Sequence, residues 1–220
     1  MEMEAQALQV HTMSFQVILA LVALGLMWAL QGLPRSLISK LRRRSRSREQ
    51  SRRHFVRGAQ LLGRSRAASA QNSGRSLARE AAAEADKAIA LDPMDAASHI
   101  LKALALERQG HATAAIGCLD AALAPPVSKS LSAPEKSDGL LKRAELELET
   151  SNSKRRGLEA AVDDLKASVG FNARNFKALC LLGTCYEKKG MLVEARKVFQ
   201  DALEANPSSQ EAKAGLDRLS

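Results

Sequence analysis

Small residues recur at an interval of 34 positions in the C-terminal two thirds of this 220-residue chain. Ala81 precedes Ala115 by 34 residues, and Ala161 precedes Ala195 by the same interval. A chain with such a period folds as a row of similar units, each covering the apolar face of its neighbour. Alanine fills 38 positions and aromatic residues only 3 %, which disfavours β-sandwiches and β-barrels. The predicted fold class is therefore all-α.

The segment 176–209 carries the most complete version of the repeating unit. Its defining residues are Leu182, Gly183, Tyr186, Ala195, Phe199, Ala202 and Pro207. Their offsets resemble the L-G-x2-Y…A-x3-F…P signature of the tetratricopeptide repeat (TPR), a hairpin of two antiparallel helices. The small residues allow the two helices to approach closely, and the aromatic rings fill the remaining space. Proline then ends the second helix, because it cannot continue one.

The same offsets predict three earlier units. In the second unit, 96–129, they fall on Ala103, Ala115, Leu119 and Ala122. The third unit, 138–175, contains insertions. The first unit, 59–95, is degenerate, because serine and asparagine occupy slots that should be apolar. The resemblance implies a short solenoid of helical hairpins.

Two capping-box patterns predict helix starts. Ser132 and Glu135 are spaced to start the first helix of the third unit. Ser208 and Glu211 have the same spacing after the last repeat. We therefore expect a final helix over 210–220 that caps the stack.

Positive charge is concentrated in one stretch of the chain. Residues 1–34 contain two acidic residues and no lysine or arginine, whereas 35–79 contain fourteen basic residues and one acid. The remaining residues hold nineteen basic and 21 acidic side chains, so the net charge of +9 comes from 35–79.

Residues 14–33 form an apolar segment without charged side chains. As a helix rising about 1.5 Å per residue, they would span roughly 30 Å, the thickness of a bilayer hydrocarbon core. A buried core helix would need a larger enclosing domain, and a cleaved signal peptide would need a basic start where this chain has Glu2 and Glu4. We therefore expect one N-terminal transmembrane helix over 14–33, preceded by a short non-cytosolic tail over 1–13.

Ten lysine and arginine residues of 35–57 follow that segment, within a predicted Ser/Arg-rich juxtamembrane linker over 34–58. By the positive-inside rule they place the C-terminal part in the cytosol, and three cysteines without a disulfide framework fit a reducing compartment. Anionic lipid headgroups are a predicted partner of this stretch, through Arg42, Arg43, Arg44, Arg46 and Arg48. Nucleic acid is disfavoured because the basic run lacks interleaved aromatic residues. Both the endoplasmic reticulum and an organelle outer membrane fit these features.

No arrangement of residues in the sequence predicts catalysis or metal binding. Cys180 and Cys185, five positions apart on one helix, point about 140° away from each other and cannot hold one metal ion. Glycine-rich phosphate loops are absent from the sequence. We predict no enzymatic activity, no cofactor and no metal.

The resemblance also implies a function. In this family the first helices of the repeats line a concave groove that binds peptides or helices of partner proteins. Helix geometry places six residues at that groove: Glu107, Arg108, Lys177, Thr184, Glu187 and Lys188. Some members clamp acidic chaperone tails through lysine, asparagine and arginine, and the asparagine is missing here. The expected function is a membrane-tethered adaptor with an organelle-receptor or co-chaperone-like role. The alternative is a permanently assembled, non-catalytic subunit of a larger membrane complex.

Overall fold

The structure, a computed structural model, describes residues 18–25, 27, 35–68, 70–150 and 154–219. The chain divides into two compact units, Met1–Ser47 and Arg48–Ser220. The described residues are helical apart from turns and one short 3-10 segment, and none of them forms a strand.

In the N-terminal unit, residues 18–25 are helical. Five large apolar side chains of this segment are exposed: Ile18, Leu19, Leu21, Val22 and Leu24. Within the described ranges, no helix combines the length and the apolar character needed to cross a bilayer. Much of the predicted transmembrane helix over 14–33, all of the tail over 1–13 and the side chains of residues 42–44 lie outside the described residues.

The helices alternate with short turns. In chain order they are α1 Arg35–Ala67, α2 Gln71–Leu91, α3 Ala96–Gln109, α4 Ala112–Leu123, α5 Ala133–Thr150, α6 Lys154–Phe171, α7 Phe176–Lys188, α8 Leu192–Ala205 and α9 Gln210–Arg218. They form the hairpins α1–α2, α3–α4, α5–α6 and α7–α8, and α9 packs against α7 and α8. A 3-10 turn at Val127–Ser130 lies between α4 and α5. The predicted all-α solenoid of helical hairpins is confirmed.

The core of the stack consists of the small and large residues of the repeat pattern. All four pattern residues of the second hairpin are buried, and so are the six of the fourth hairpin that precede its proline. Pro207 lies in the exposed turn that follows α8. The turns inside these two hairpins contain Gly110 and Gly190, whose φ angles of +90° and +75° favour glycine.

Phe199 of α8 shows why small residues occur where they do. A Cβ atom built on Gly183 of α7 would lie 2.7 Å from the Phe199 ring, and one built on Gly215 of α9 would lie 2.5 Å from it. The ring is only 1 % exposed. Three helices therefore meet at one aromatic side chain, and both glycines are required by its volume.

The first hairpin differs from the prediction in its bounds. The predicted linker over 34–58 is helical from Arg35 onward, α1 continues to Ala67, and α2 begins at Gln71. The first unit, predicted over 59–95, therefore begins too late. Its two helices are longer than those of the second and fourth hairpins, which moves the turn away from the position that the repeat spacing predicted.

Residues of α1 before position 59 belong to the folded stack. Ser51 is 3 % exposed, and its hydroxyl donates a hydrogen bond to the Ala88 carbonyl at 2.9 Å. A Cβ on Gly58 would lie 2.9 Å from Cδ2 of Leu101 in α3. The buried slot at Ser65 is compatible with a polar residue, because its hydroxyl donates to the Gly74 carbonyl at 2.6 Å.

The caps of α5 and α9 follow from local hydrogen bonds. The backbone N–H of Ser132 donates to Oε2 of Glu135 at 2.7 Å, as expected of a capping box. In front of α9, however, the cap is Ser209, whose hydroxyl accepts from the Ala212 N–H at 3.3 Å. The predicted cap at Ser208 is therefore one residue too early.

Candidate functional site

A groove of about 630 Å³ crosses the first helices of the hairpins. This first-helix groove is lined by one face each of α1, α3 and α5, by Leu131 before α5, and by Lys177 of α7. Its volume lies within the range of about 300–1,000 Å³ that is typical of ligand sites. Residues of all four hairpins contribute to it.

The apolar part of the first-helix groove comes from α1 and α3. Its main side chains are Phe55, Ala59, Leu62, Ala97, Leu101 and Leu104. Spacings of three and four place them on one face of each helix. The neighbouring face of α3 carries Ala103, which packs against α4. The groove floor is therefore a continuation of the core.

Lys142 of α5 is the most strongly held charge in the first-helix groove. Its Nζ lies 2.7 Å from Oε2 of Glu145 and 2.9 Å from Oε1 of Glu107 in α3. Burial alone would lower the pKa of Lys142, but the hydrogen bonds to Glu145 and Glu107 outweigh it, so the pKa lies above its usual value. The lysine therefore stays charged, and two carboxylates neutralise it.

Two other carboxylates of α5 face the same groove. The hydroxyl and backbone N–H of Ser132 hydrogen-bond to Glu135 and hold the pKa of that carboxyl below its usual value. Oδ1 of Asp138 accepts a hydrogen bond from Nδ2 of Asn175 at 3.1 Å. In the part of the chain that the structure describes, neither Glu135 nor Asp138 forms an ion pair.

Only some of the predicted groove residues are found at this site. Lys177 lines the groove directly, and Glu107 reaches it through its ion pair with Lys142. The Thr184 hydroxyl donates to the carbonyl of Cys180 at 3.1 Å, within its own helix. Lys177 and Glu107 are therefore found at the groove, whereas Thr184 is not among its lining residues.

The other three predicted residues face elsewhere. The Arg108 guanidinium donates to the Ser65 carbonyl at 3.1 Å, at the turn of the first hairpin. Glu187 forms a two-pronged ion pair with Arg218 of the capping helix, at 2.9 and 2.8 Å. Lys188 lines a different cavity, together with Arg155. The structure does not bring these three residues to the first-helix groove.

Sequence reasoning missed the groove residues of α1 and α5. Phe55 and Leu62 are seven positions apart, a spacing that predicts one helix face. Phe55, however, lies within the predicted linker over 34–58, and Leu62 lies just after it. Lys142 and Glu145 show the spacing of a helical ion pair. That signal was available in the sequence, whereas the contact between Lys142 and Glu107 depends on how α3 and α5 pack.

The cysteines of α7 are core residues. Cys180 and Cys185 are both buried, and burial raises the pKa of each thiol. Among the residues that the structure describes, no group of three or more His, Cys, Asp or Glu side chains could hold a metal ion. The thiols therefore contribute to packing between α7 and its neighbours.

Residues 176–209 match the family model of the tetratricopeptide repeat. No curated protein matches the chain. Among solved structures, MamA has a TM-score of 0.60 at 15 % identity, over 78 % of this chain and 81 % of its own. PilF of Pseudomonas aeruginosa has a TM-score of 0.59 at 17 % identity, over 80 % of this chain and 68 % of its own. YrrB, a TPR protein with an unusual peptide-binding site, has 0.52 at 20 % identity, over 72 % and 74 %. The chain thus shares the fold of stacked tetratricopeptide repeats.

Proposed function

We propose that this protein is a membrane-tethered, non-catalytic scaffold whose first-helix groove binds a segment of a partner protein on the cytosolic side. The observation that carries the proposal is the groove itself, since helices of successive hairpins jointly present an apolar floor to solvent. The peptide-binding site of YrrB, which has the same fold, supports this use of the architecture.

Gly63 of α1 allows the groove to be filled without disturbing the core. It lines the groove, is exposed, and a Cβ built on it would meet no atom within 4 Å. Gly63→Arg should therefore obstruct the floor while improving the intrinsic helix propensity of α1. Gly117→Arg in α4 is the matched control, because Gly117 is also helical, exposed and open to solvent.

Proximity labelling from the C-terminus of the full chain in living cells tests the groove. Proteins labelled by the wild type and by Gly117→Arg should be lost with Gly63→Arg. Equal labelling by all three proteins would contradict the groove as a binding site.

A partner that co-purifies stoichiometrically in detergent would identify a permanently assembled subunit, whereas an adaptor should release its partner at moderate salt.

The membrane tether is proposed from the N-terminal sequence. Residues 14–33 lack charged side chains, the large apolar side chains of 18–24 are exposed, and Arg46 and Arg48 of the following basic stretch are exposed as well. Removing residues 1–34 should move the protein from the membrane fraction to the soluble fraction and preserve its helical circular dichroism. Retention on membranes after the deletion would contradict the tether, and loss of helicity would show that the segment is part of the core.

Orientation and organelle are proposed from the basic stretch 35–57. Protease added to intact organelles should digest a C-terminal tag, because the positive-inside rule places that end in the cytosol. Protection of the tag would contradict this orientation. The proteins labelled in cells distinguish the endoplasmic reticulum from an organelle outer membrane, the two locations that we propose.

A further inference from the structure

The first-helix groove has two chemically different ends. On α1 and α3, its walls are aliphatic or aromatic, as at Phe55, Leu62 and Leu104. On α5, by contrast, four of the six lining residues are charged, and they lie within less than three helical turns, from Glu135 to Glu145. A ligand that lies across both ends must therefore change its own chemistry along its length.

The charged end carries an excess of negative charge. Its carboxylates are Glu135, Asp138 and Glu145, and Glu107 adds a fourth through Lys142. Against these four acids the α5–α7 end offers only Lys142 and Lys177. Lys142 is already bound by two of the acids, so its charge is not available to an incoming anion.

Hydrogen bonding keeps the remaining two acids in place as acceptors. Glu135 is fixed by Ser132, and Asp138 is fixed by Asn175, which is itself buried. Both partners are neutral, so neither cancels the charge of the carboxylate it holds. A cation arriving from outside would gain from both positions without displacing an internal ion pair.

Resting on the scaffold function proposed above, we infer that the first-helix groove takes a peptide segment with apolar side chains at one end and lysine or arginine at the other. The apolar side chains lie on the α1 and α3 floor, and the basic group pairs with Glu135 and Asp138. Arg66, at the α1 end, disfavours the reverse orientation, because it would face the basic end of the segment. An acidic tail fits this groove poorly, since the α5 end would repel it.

A pair of conservative substitutions isolates the charge. Glu135→Gln retains an acceptor for the Ser132 N–H, and Asp138→Asn retains one for Asn175, so the double variant removes two negative charges but keeps the hydrogen-bond pattern. The matched control is Asp201→Asn with Glu204→Gln. These two acids have the same spacing of three on α8, outside the groove.

A phage-displayed library of random linear peptides is selected for binding to the full chain in nanodiscs at low salt. Peptides that also bind the Gly63→Arg variant are then removed. Peptides that depend on an open groove should combine apolar residues with lysine or arginine and be depleted of acids. Their affinity should fall roughly threefold to tenfold for the Glu135→Gln/Asp138→Asn variant and stay unchanged for the α8 control.

Two results would overturn the inference. Selected peptides enriched in acidic residues, or without charge preference, would contradict the proposed ligand chemistry while leaving the groove as a binding site. A library from which no peptide depends on Gly63 would contradict both the ligand chemistry and the groove. These outcomes separate failure of the inference from failure of the scaffold function on which it rests.

Discussion

At the scale of single residues, stability depends on where helices approach most closely. Gly183 could be predicted from the sequence, because it occupies the glycine position of the repeat signature. Gly215 could not, because the capping helix lies outside the repeat and its contact with Phe199 exists only after α9 has packed. A lone glycine in a helix indicates a close approach without revealing its partner.

Gly183→Leu should destabilise the fold. The first added carbon would already lie 2.7 Å from the Phe199 ring, and the ring is enclosed by Gly215 on α9. Overpacking of this kind costs about 1–3 kcal/mol, which lowers Tm by several degrees. Thermal circular dichroism of residues 35–220 measures it, with Lys188→Leu as the exposed control. Equal melting of the two variants would show that Gly183 is not at a helix crossing.

Gly215→Ala should lower stability although alanine is the better helix former. In an open helical position such as Gly117, the exchange should gain roughly 0.5–1 kcal/mol. At Gly215 the new methyl group would lie 2.5 Å from the Phe199 ring, so the contact should outweigh that gain. Urea unfolding of both variants measures the difference. A stabilised Gly215→Ala protein would mean that the ring can move away.

At the scale of elements, the hairpins were predictable wherever small residues keep the spacing of 34. The first hairpin keeps that spacing only in α2, at Ala81, and its bounds were not predictable because α1 extends from Arg35 to Ala67. Ser65 gave a misleading signal there: a polar residue in a core slot suggested a poorly formed helix, yet its hydroxyl is satisfied by the Gly74 carbonyl. Hydrogen bonds of this kind depend on tertiary packing and have no sequence signature.

The α1–α2 contact also contains a buried carboxylate. Oε2 of Glu84 lies 2.7 Å from Nδ1 of His54, and Oε1 lies 2.7 Å from Nζ of Lys87. The hydrogen bond to His54, followed by that to Lys87, holds the pKa of Glu84 below its usual 4.5. A carboxyl whose pKa is lower in the folded state stabilises the fold above pH 4.5 and loses that contribution as pH falls further.

Glu84→Gln should therefore lower Tm at pH 7, by an amount corresponding to about 1–2 kcal/mol. The difference from the wild type should shrink as pH falls below 4.5 toward the lowered pKa of Glu84, because the wild-type carboxyl becomes protonated. Glu80→Gln, one turn earlier in α2 and exposed to solvent, is the control and should melt like the wild type. A Tm difference independent of pH would contradict the role of the charge.

At the scale of the whole molecule, the sequence predicted a stack with a groove but not the chemistry of that groove. Arg108 illustrates the reason: helix geometry places it near the groove, but a backbone carbonyl of the neighbouring hairpin captures its guanidinium. Conversely, Phe55 lines the groove because α1 begins earlier than the repeat spacing predicted. Groove composition depends on helix lengths and on competing hydrogen bonds, which the spacing of small residues does not encode.

The central claim is that the first-helix groove holds a partner protein, and photocrosslinking in living cells tests it most directly. A photoreactive phenylalanine derivative that replaces Arg66, an exposed residue at the α1 end of the groove, would lie beside a bound segment without filling the floor, whereas the same group at Gly117 would lie on α4, outside the groove. We predict a discrete crosslinked species from the Arg66 position of the full chain and none from Gly117. No adduct at Arg66, or the same adducts from both positions, would contradict the claim.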